Sequence, residues 1–437
     1  MKVLLIDEQR QFLDLALLAQ NAGHEVRMYF PHDASSGECV IARGLCKLVS
    51  EWEPSMNWAD LIILSGATKV VRFLEKYRKK GYPIFGSNVA VGEWEDNRGL
   101  GQEVLKKAGI RTMDSVQFKT INEAKAFLIA NPGRFVSKPD HDGDKEMSYV
   151  SKGRRDMMAM LDRWQKDCKL KNGFLFQKFV PGVEVAVGGW FGRAGFSQWF
   201  FENFEFKKLF AGELGPNTGE VGTVGRYTRT SLLAEKLLRP LEGELFRQGF
   251  TGYIDVATIV GRDGVPYPLE FTCRPGDPTD KIRHAVHKGD PVEWMMNLLK
   301  GEDTLSVSTE VVLGVTVFIP DFPFNTRPEK TKIGHPIWGH QKIPIKHFHP
   351  SEVMRGDIWE ERDGKLLVED GFVTAGSNVC TITGCGNSVQ EAKAKAYHFV
   401  DHIQISNSPA YRVDIGDRLR VDLRVLKSHG YCHGLPW

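Results

Sequence analysis

Short apolar runs alternate with amphipathic stretches through the first hundred residues, and this alternation restricts the fold more than any other feature. "KVLLID" has the length and apolar content of a buried strand, and "QFLDLALLAQNAGH" has the period of a helix that Gly23 can close. "EVRMYF", "DLIILSG", the helix-like "TKVVRFLEKYRKKG" and "YPIFGS" continue the pattern. Strands that alternate with helices predict a parallel sheet in an α/β fold. The first strand runs into Asp7-Glu8-Gln9-Arg10 with no G-x-G-x-x-G, which argues against a dinucleotide site at that turn. At 437 residues the chain exceeds one ordinary core, so roughly two to four domains or subdomains are expected.

From about Asn97 the pattern changes. Helices "GLGQEVLKKAGI", "INEAKAFLIAN" and "RRDMMAMLDRWQKD" are interleaved with strands "SVQF", "RFVSKPD" and "GFLFQKFV". A β-rich run reaches about Phe206, followed by a glycine-rich loop and the helix-like "SLLAEKLLRPLEGELFRQG". "YIDVATIV" and "PYPLEFTCR" read as a strand pair joined by the turn "GRDG". The expected division is an N-terminal α/β domain over 1–98, a core over 99–307 with a lid at about 117–187, and a mixed α/β C-terminal cap over 308–437.

Composition removes several function classes. The formal charge is only +2 and the basic residues are spread out, so binding to free nucleic acid is not expected. "MKVLLIDEQRQ" has an apolar run of four residues before Asp7, too short for a signal peptide, and no run approaches a membrane span. Seven cysteines without a C-x-x-C pair suggest reduced thiols and a cytoplasmic protein. His335, His340, His347 and His349 fit no metal spacing and read as surface or packing residues.

Four pieces of chemistry follow in order. Lys138 ends "RFVSK", and the loop "PDHDGDKEMSYV" beyond it could cover phosphates; a surface lysine beside a hairpin is the plainer alternative. In "FQKFVPGVEVAV", the extended backbone from Lys178 to Val180 could meet an adenine edge, and Glu184 could accept from ribose hydroxyls; a strand–turn–strand with an exposed Glu fits equally. "GELGPNTGEVG" presents bare backbone beside Asn217, Thr218 and Glu220. In "YIDVATIVGRDGVPYPLEFTCRPGDP", Asp255 and Glu270 would lie side by side on neighbouring strands, a repulsion usually relieved by a cation such as Mg²⁺. Arg274 and Asp277 follow on the next turn.

Together these pieces resemble the ATP-grasp ligases and, over almost the whole chain, the glycinamide ribonucleotide synthetase family. "GPNTGEVG" is similar to that family's G-P-N-T-G-G-M-G, and "LEFTCRPGDPT" to its E-F-N-x-R-F-G-D-P-E. "NVCTITGCGNSVQEAKAKAYHFVDHI" and "YRVDIGDR" match its C-terminal pattern. The resemblance implies an ATP-grasp fold with an N-terminal pre-ATP-grasp domain. It also implies an enzyme of purine biosynthesis that uses ATP and Mg²⁺ to join glycine, or a similar amino acid, to an amine, releasing ADP and phosphate. Its partners would be these small molecules, and the protein a monomer or homodimer.

Residue by residue, the resemblance gives Lys138 the ATP phosphates, Lys178 and Val180 the adenine, and Glu184 the ribose. Asp255, Glu270 and Thr272 would be metal ligands, Asp255 by analogy with D-alanine–D-alanine ligases. Arg274 would act catalytically with Lys138 and, with Asp277, meet the amino acid and the transferred phosphoryl group. Asn217, Thr218 and Gly219 would face the acyl phosphate, and Arg412 would bind an anionic group of the acceptor. Departures are also visible. Asp7-Glu8-Gln9-Arg10 stands in place of G-G-R-E-H, Gly376-Ser377-Asn378-Val379 in place of G-G-R-V, and Thr272 in place of an Asn. They point to weak use of phosphoribosylamine. Two alternatives are the same chemistry on another amine, such as a modified nucleoside or nucleotide, and an inactive binding relative.

Overall fold

The computed structural model describes residues 1–31, 40–67, 70–139, 147–167, 173–320, 322–324, 330–406 and 408–437. The lid-loop residues 140–146, and Cys39 and Cys168, lie outside the described residues.

The N-terminal sheet has five parallel strands, ordered Lys47–Leu48, Glu25–Tyr29, Lys2–Ile6, Leu61–Leu64 and Ile84–Phe85. Its strands are apolar almost throughout because both faces are covered. Val3, Leu5, Leu61 and Ile63 pack with helix Leu13–Asn21, while Leu4, Ile6, Ile62 and Leu64 pack with helix Val71–Lys79. Successive side chains alternate faces, so one apolar run serves two helices. Gly23 takes φ +88° just beyond the first helix, the left-handed stop read from the sequence.

The lid is a four-stranded antiparallel sheet, ordered Ser115–Phe118, Phe174–Lys178, Phe135–Pro139 and Tyr149–Val150. Phe118, Phe127, Phe135, Phe174 and Phe176 form its aromatic core. Helix Ile121–Ala130 starts at a capping box of Thr120 and Glu123.

The third sheet corrects two sequence expectations. Its eight strands run in the order Pro266–Thr272, Gly252–Gly261, Gly182–Gly192, Gly195–Glu205, Gly222–Thr228, Val311–Phe318, Asn378–Gly386 and Phe348–Pro350, all antiparallel. Residues 182–187 therefore belong to this sheet and not to the lid. The segment after 308 is not a separate cap either, since three of its strands complete the same sheet; only the four-stranded sheet of Val353–Arg362, Lys365–Thr374, Pro336–Trp338 and Gln404–Ile405 stands apart. "SLLAEKLLRPLEGELFRQG" also differs from the single helix expected. It splits into Leu232–Leu237 and Glu242–Arg247 around a 3₁₀ turn at Arg239–Leu241, where Pro240 lacks the N–H a continuous helix needs. No helix among the described residues is long and apolar enough to cross a membrane.

Candidate active site

The site is built along the strand pair Gly252–Gly261 and Pro266–Thr272. Its register places Asp255 opposite Thr272 and Ala257 opposite Glu270, with a bulge after Ala257. Asp255, Thr272 and Glu270 thus share a face on neighbouring strands, with Asp255 and Glu270 set diagonally along it. Asp255 is 4% exposed and its Oδ1 has no hydrogen-bond partner among the described residues. Burial, then the Glu205 carboxylate, pushes Asp255 well above the usual carboxylate range, against the pull of Arg283. Glu270 goes the other way. Burial would raise it, yet Lys138, Arg98, Lys207 and Arg274 together hold it down at about 2. Its Oε2 lies 2.9 Å from the Arg98 guanidinium.

Lys138 reaches this cluster from the lid strand Phe135–Pro139. Burial lowers its ammonium to about 8, opposed by Glu270 and Glu184 and reinforced by Arg98 and Lys207. The lid lysine and the sheet-edge carboxylate are therefore electrostatic neighbours. Glu184 accepts from Lys207 Nζ at 2.9 Å, and Lys207 also pairs with Glu205 at 3.3 Å. Lys178 ends the lid strand and Val180 lies in the link to Gly182, so both sit at the hinge between lid and large sheet.

The glycine loop is tied down at several points. Thr218 donates from N and Oγ1 to Lys207 O, at 2.8 and 2.9 Å, and so fixes Lys207 from the loop side. Gly219 takes φ +88° with open space where a Cβ would stand, and Asn217 is exposed. Glu220 accepts from the Thr223 hydroxyl and, at 2.7 Å, from Thr279 Oγ1. Burial, with Glu205 and Asp277 nearby, raises its carboxyl well above the ordinary value.

Arg274 pairs with Glu95 at 3.1 Å, and Glu95 also accepts from Cys273 N at 2.8 Å. Asp277 pairs with Lys281 and accepts from Asn378 Nδ2 at 3.1 Å. Arg412 requires correction. Expected to meet an anionic group of the acceptor, it is 2% exposed, and its guanidinium is taken by Glu213, Asp414 and the Lys208 carbonyl. With Asp414 also accepting from Gly212 N at 2.8 Å, Arg412 anchors the start of the glycine loop.

Sequence reasoning missed Lys207, Arg98, Glu95 and Lys281. Arg98 carried one readable signal: Asn97 caps the helix Arg98–Lys107 that presents it, with Oδ1 accepting from Leu100 N at 3.1 Å. Glu95 had none, since its partner Arg274 is distant in sequence, whereas Lys207 and Lys281 also pair with Glu205 and Asp277 close by, pairings that could be read as ordinary local ion pairs.

A hinged antiparallel lid, a large sheet with carboxylates at its edge, and an N-terminal parallel α/β sheet define the class: this is the ATP-grasp fold. No protein-family model matches the chain. It is similar to the phosphoribosylamine–glycine ligase of Ralstonia nicotianae, at 25% identity over 79% of this chain and 81% of that protein. The ligase of the same name from Leifsonia xyli is 24% identical over 96% of this chain and all of its own length. Among solved structures, phosphoribosylamine–glycine ligase from Thermotoga maritima covers 95% of the chain and all of its own, with a TM-score of 0.71 at 19% identity. An L-amino acid ligase from Bacillus licheniformis covers 93% of the chain and 99% of its own at TM-score 0.58 and 15% identity.

Proposed function

We propose that the protein is an ATP-dependent carboxylate–amine ligase. It activates the carboxylate of glycine, or a similar small amino acid, as an acyl phosphate and joins it to an amine, releasing ADP and phosphate. The observation that carries this reading is the electrostatic proximity of Lys138 and Glu270, one from the lid and one from the sheet edge, each shifting the other's charge. The phosphoribosylamine–glycine ligases similar to the chain over most of its length support it.

Such a reaction is dominated by positioning and charge stabilisation. Lys138 would neutralise phosphate oxygens, Glu184 would meet ribose hydroxyls, and the hinge at Lys178 and Val180 would border the adenine. Asp255, Glu270 and Thr272 offer hard oxygen donors on one face, and the unpartnered Asp255 Oδ1 fits that set to a divalent cation such as Mg²⁺. When bound, that ion supplies positive charge to the phosphates. Arg274 and Asp277 would hold the amino acid and phosphoryl oxygens, while Asn217, Thr218 and Gly219 let bare backbone approach the acyl phosphate. The five described cysteines are free, in keeping with a cytoplasmic location.

The test is ADP release assayed with glycine against a panel of amines. Release that requires both the amino acid and an amine is expected. ATP hydrolysis indifferent to both would overturn the reading.

A further inference from the structure

Beyond Glu270 the chain turns through Arg274 and Asp277 and meets both the N-terminal sheet and the loop 376–378. Gln11 Nε2 donates to Pro275 O at 2.8 Å and to Ser65 O at 3.3 Å, and Asn378 Nδ2 donates to Asp277. The glycine loop reaches the same junction through Glu220 and Thr279. Under the ligase reading, on which this inference rests, an attacking amine approaches here.

Two features of this junction would ordinarily make anion cradles: glycines without side chains, beside backbone N–H groups. Each is filled by a carboxylate of the chain itself. Glu8 accepts from Val70 N and occupies the space where a Cβ on Gly66 would stand. Glu352 accepts from Asn378 N at 2.9 Å and fills the same space beside Gly376. The cations here are engaged as well. Lys281 is 1% exposed and bonded to Ser351 Oγ at 2.7 Å and to Asp277, and Arg10 and Lys281 both act on Glu352. Asp7, Asp277 and Glu352 all act on or pair with Lys281, and Glu352 also faces Arg10, so carboxylates outnumber cations among these described groups.

The unpartnered atoms have one polarity. Gln11 is 2% exposed, and its Oε1 has no partner among the described residues; Asn378 Oδ1 has none among them either. Both amides are oriented by partners that can only accept, two carbonyls for Gln11 and a carboxylate for Asn378, so the open atoms are oxygens. A buried acceptor without a donor is costly, and a ligand carrying N–H or O–H groups relieves it. A phosphate brings only more acceptors and negative charge.

We propose that Glu8 and Glu352 are specificity-determining residues that fill the anion cradles of the acceptor pocket, and that the acceptor is a hydroxylated amine bearing no phosphate.

The test uses the full-length protein with ATP and glycine, and two probes that differ only in the phosphate: ribosylamine and phosphoribosylamine. The unaltered protein is expected to use ribosylamine with a kcat/KM at least tenfold higher. Glu8→Gln and Glu352→Gln should each gain phosphoribosylamine turnover by tenfold or more through KM; as they lie on separate loops, one can serve if the other does not fold. Equal or better use of phosphoribosylamine by the unaltered protein overturns the proposal, as does a failure of the folded variants to gain it. Trapping the acyl phosphate with hydroxylamine separates the two readings. Glycine hydroxamate formed alongside a phosphoribosylamine preference leaves the ligase standing and removes only the specificity claim. No hydroxamate and no turnover of either amine removes both.

Discussion

Lys138 is held between two opposed influences, burial that favours its neutral form and the carboxylates of Glu270 and Glu184 that favour the ammonium. Burial prevails, and the ammonium titrates near 8. A phosphate-binding lysine must be protonated, so apparent affinity for ATP should fall as pH rises from 7 to 9. Lys138→Arg keeps its charge across that range and should flatten the profile. A KM for ATP that does not change with pH in the unaltered protein would contradict this. On the proposed reading, Glu270→Gln preserves shape but removes an anionic metal ligand. It should lower magnesium-dependent turnover by at least the roughly 10–100-fold that loss of an outer-shell partner costs, measured as ADP release against magnesium concentration. At this scale the sequence was informative about which strands carry Lys138, Asp255 and Glu270 and that the two carboxylates share a face. It failed for Arg412, because the partners Glu213 and Lys208 that bury its charge lie some two hundred residues away. Lys207 was missed for the same reason: its identity as a site residue depends on which strands come together.

Elements meet tightly at two places that can be tested. Helix Val389–Val400 lies on strand Asn378–Gly386 at Gly384, where an added Cβ would run into the backbone of Ala392 and Ala396. Gly384→Ala should destabilise by about 1–3 kcal/mol, the usual cost of overpacking, read from denaturant unfolding. The second place joins three segments: Asp14 Oδ2 accepts from His284 Nδ1 at 2.7 Å and from His349 Nδ1 at 3.0 Å. These are direct hydrogen bonds among buried groups, so His349 is a packing residue, as one reading of the histidine run held. Burial opposes charging of His284, but Asp280 and Asp14 outweigh it and raise its pKa. Asp14 is depressed by His349 and His284 despite burial. A raised histidine contributes stability that is full below its unfolded value and lost as pH rises through its folded one; the depressed aspartate contributes above its own unfolded value. Asp14→Asn should therefore cost on the order of 3 kcal/mol near pH 6, the low end for breaking a buried pair, with the difference shrinking at alkaline pH. A pH-independent difference in unfolding free energy would count against the charged pair.

For the whole molecule, strand existence was far more legible than strand partnership. Strands Val311–Phe318 and Asn378–Gly386 are short apolar runs, yet nothing local to them says that they extend the sheet begun at Gly182. The boundary at 308 followed sequence order, whereas the sheet is assembled from segments far apart in the chain. A chain ended at residue 307 should expose the unpaired edge of Gly222–Thr228 and fail to unfold cooperatively, as read by calorimetry. The acceptor junction has the same origin, since Glu8, Asp277 and Glu352 come from three regions of sequence. The central claim is that a carboxylate is activated by phosphoryl transfer beside Lys138 and Glu270, and oxygen isotopes test it most directly. With glycine labelled with oxygen-18 in its carboxylate, one labelled oxygen should appear in the released phosphate, because the carboxylate oxygen that attacked ATP leaves with it. Amide formation with the label absent from phosphate would contradict the account.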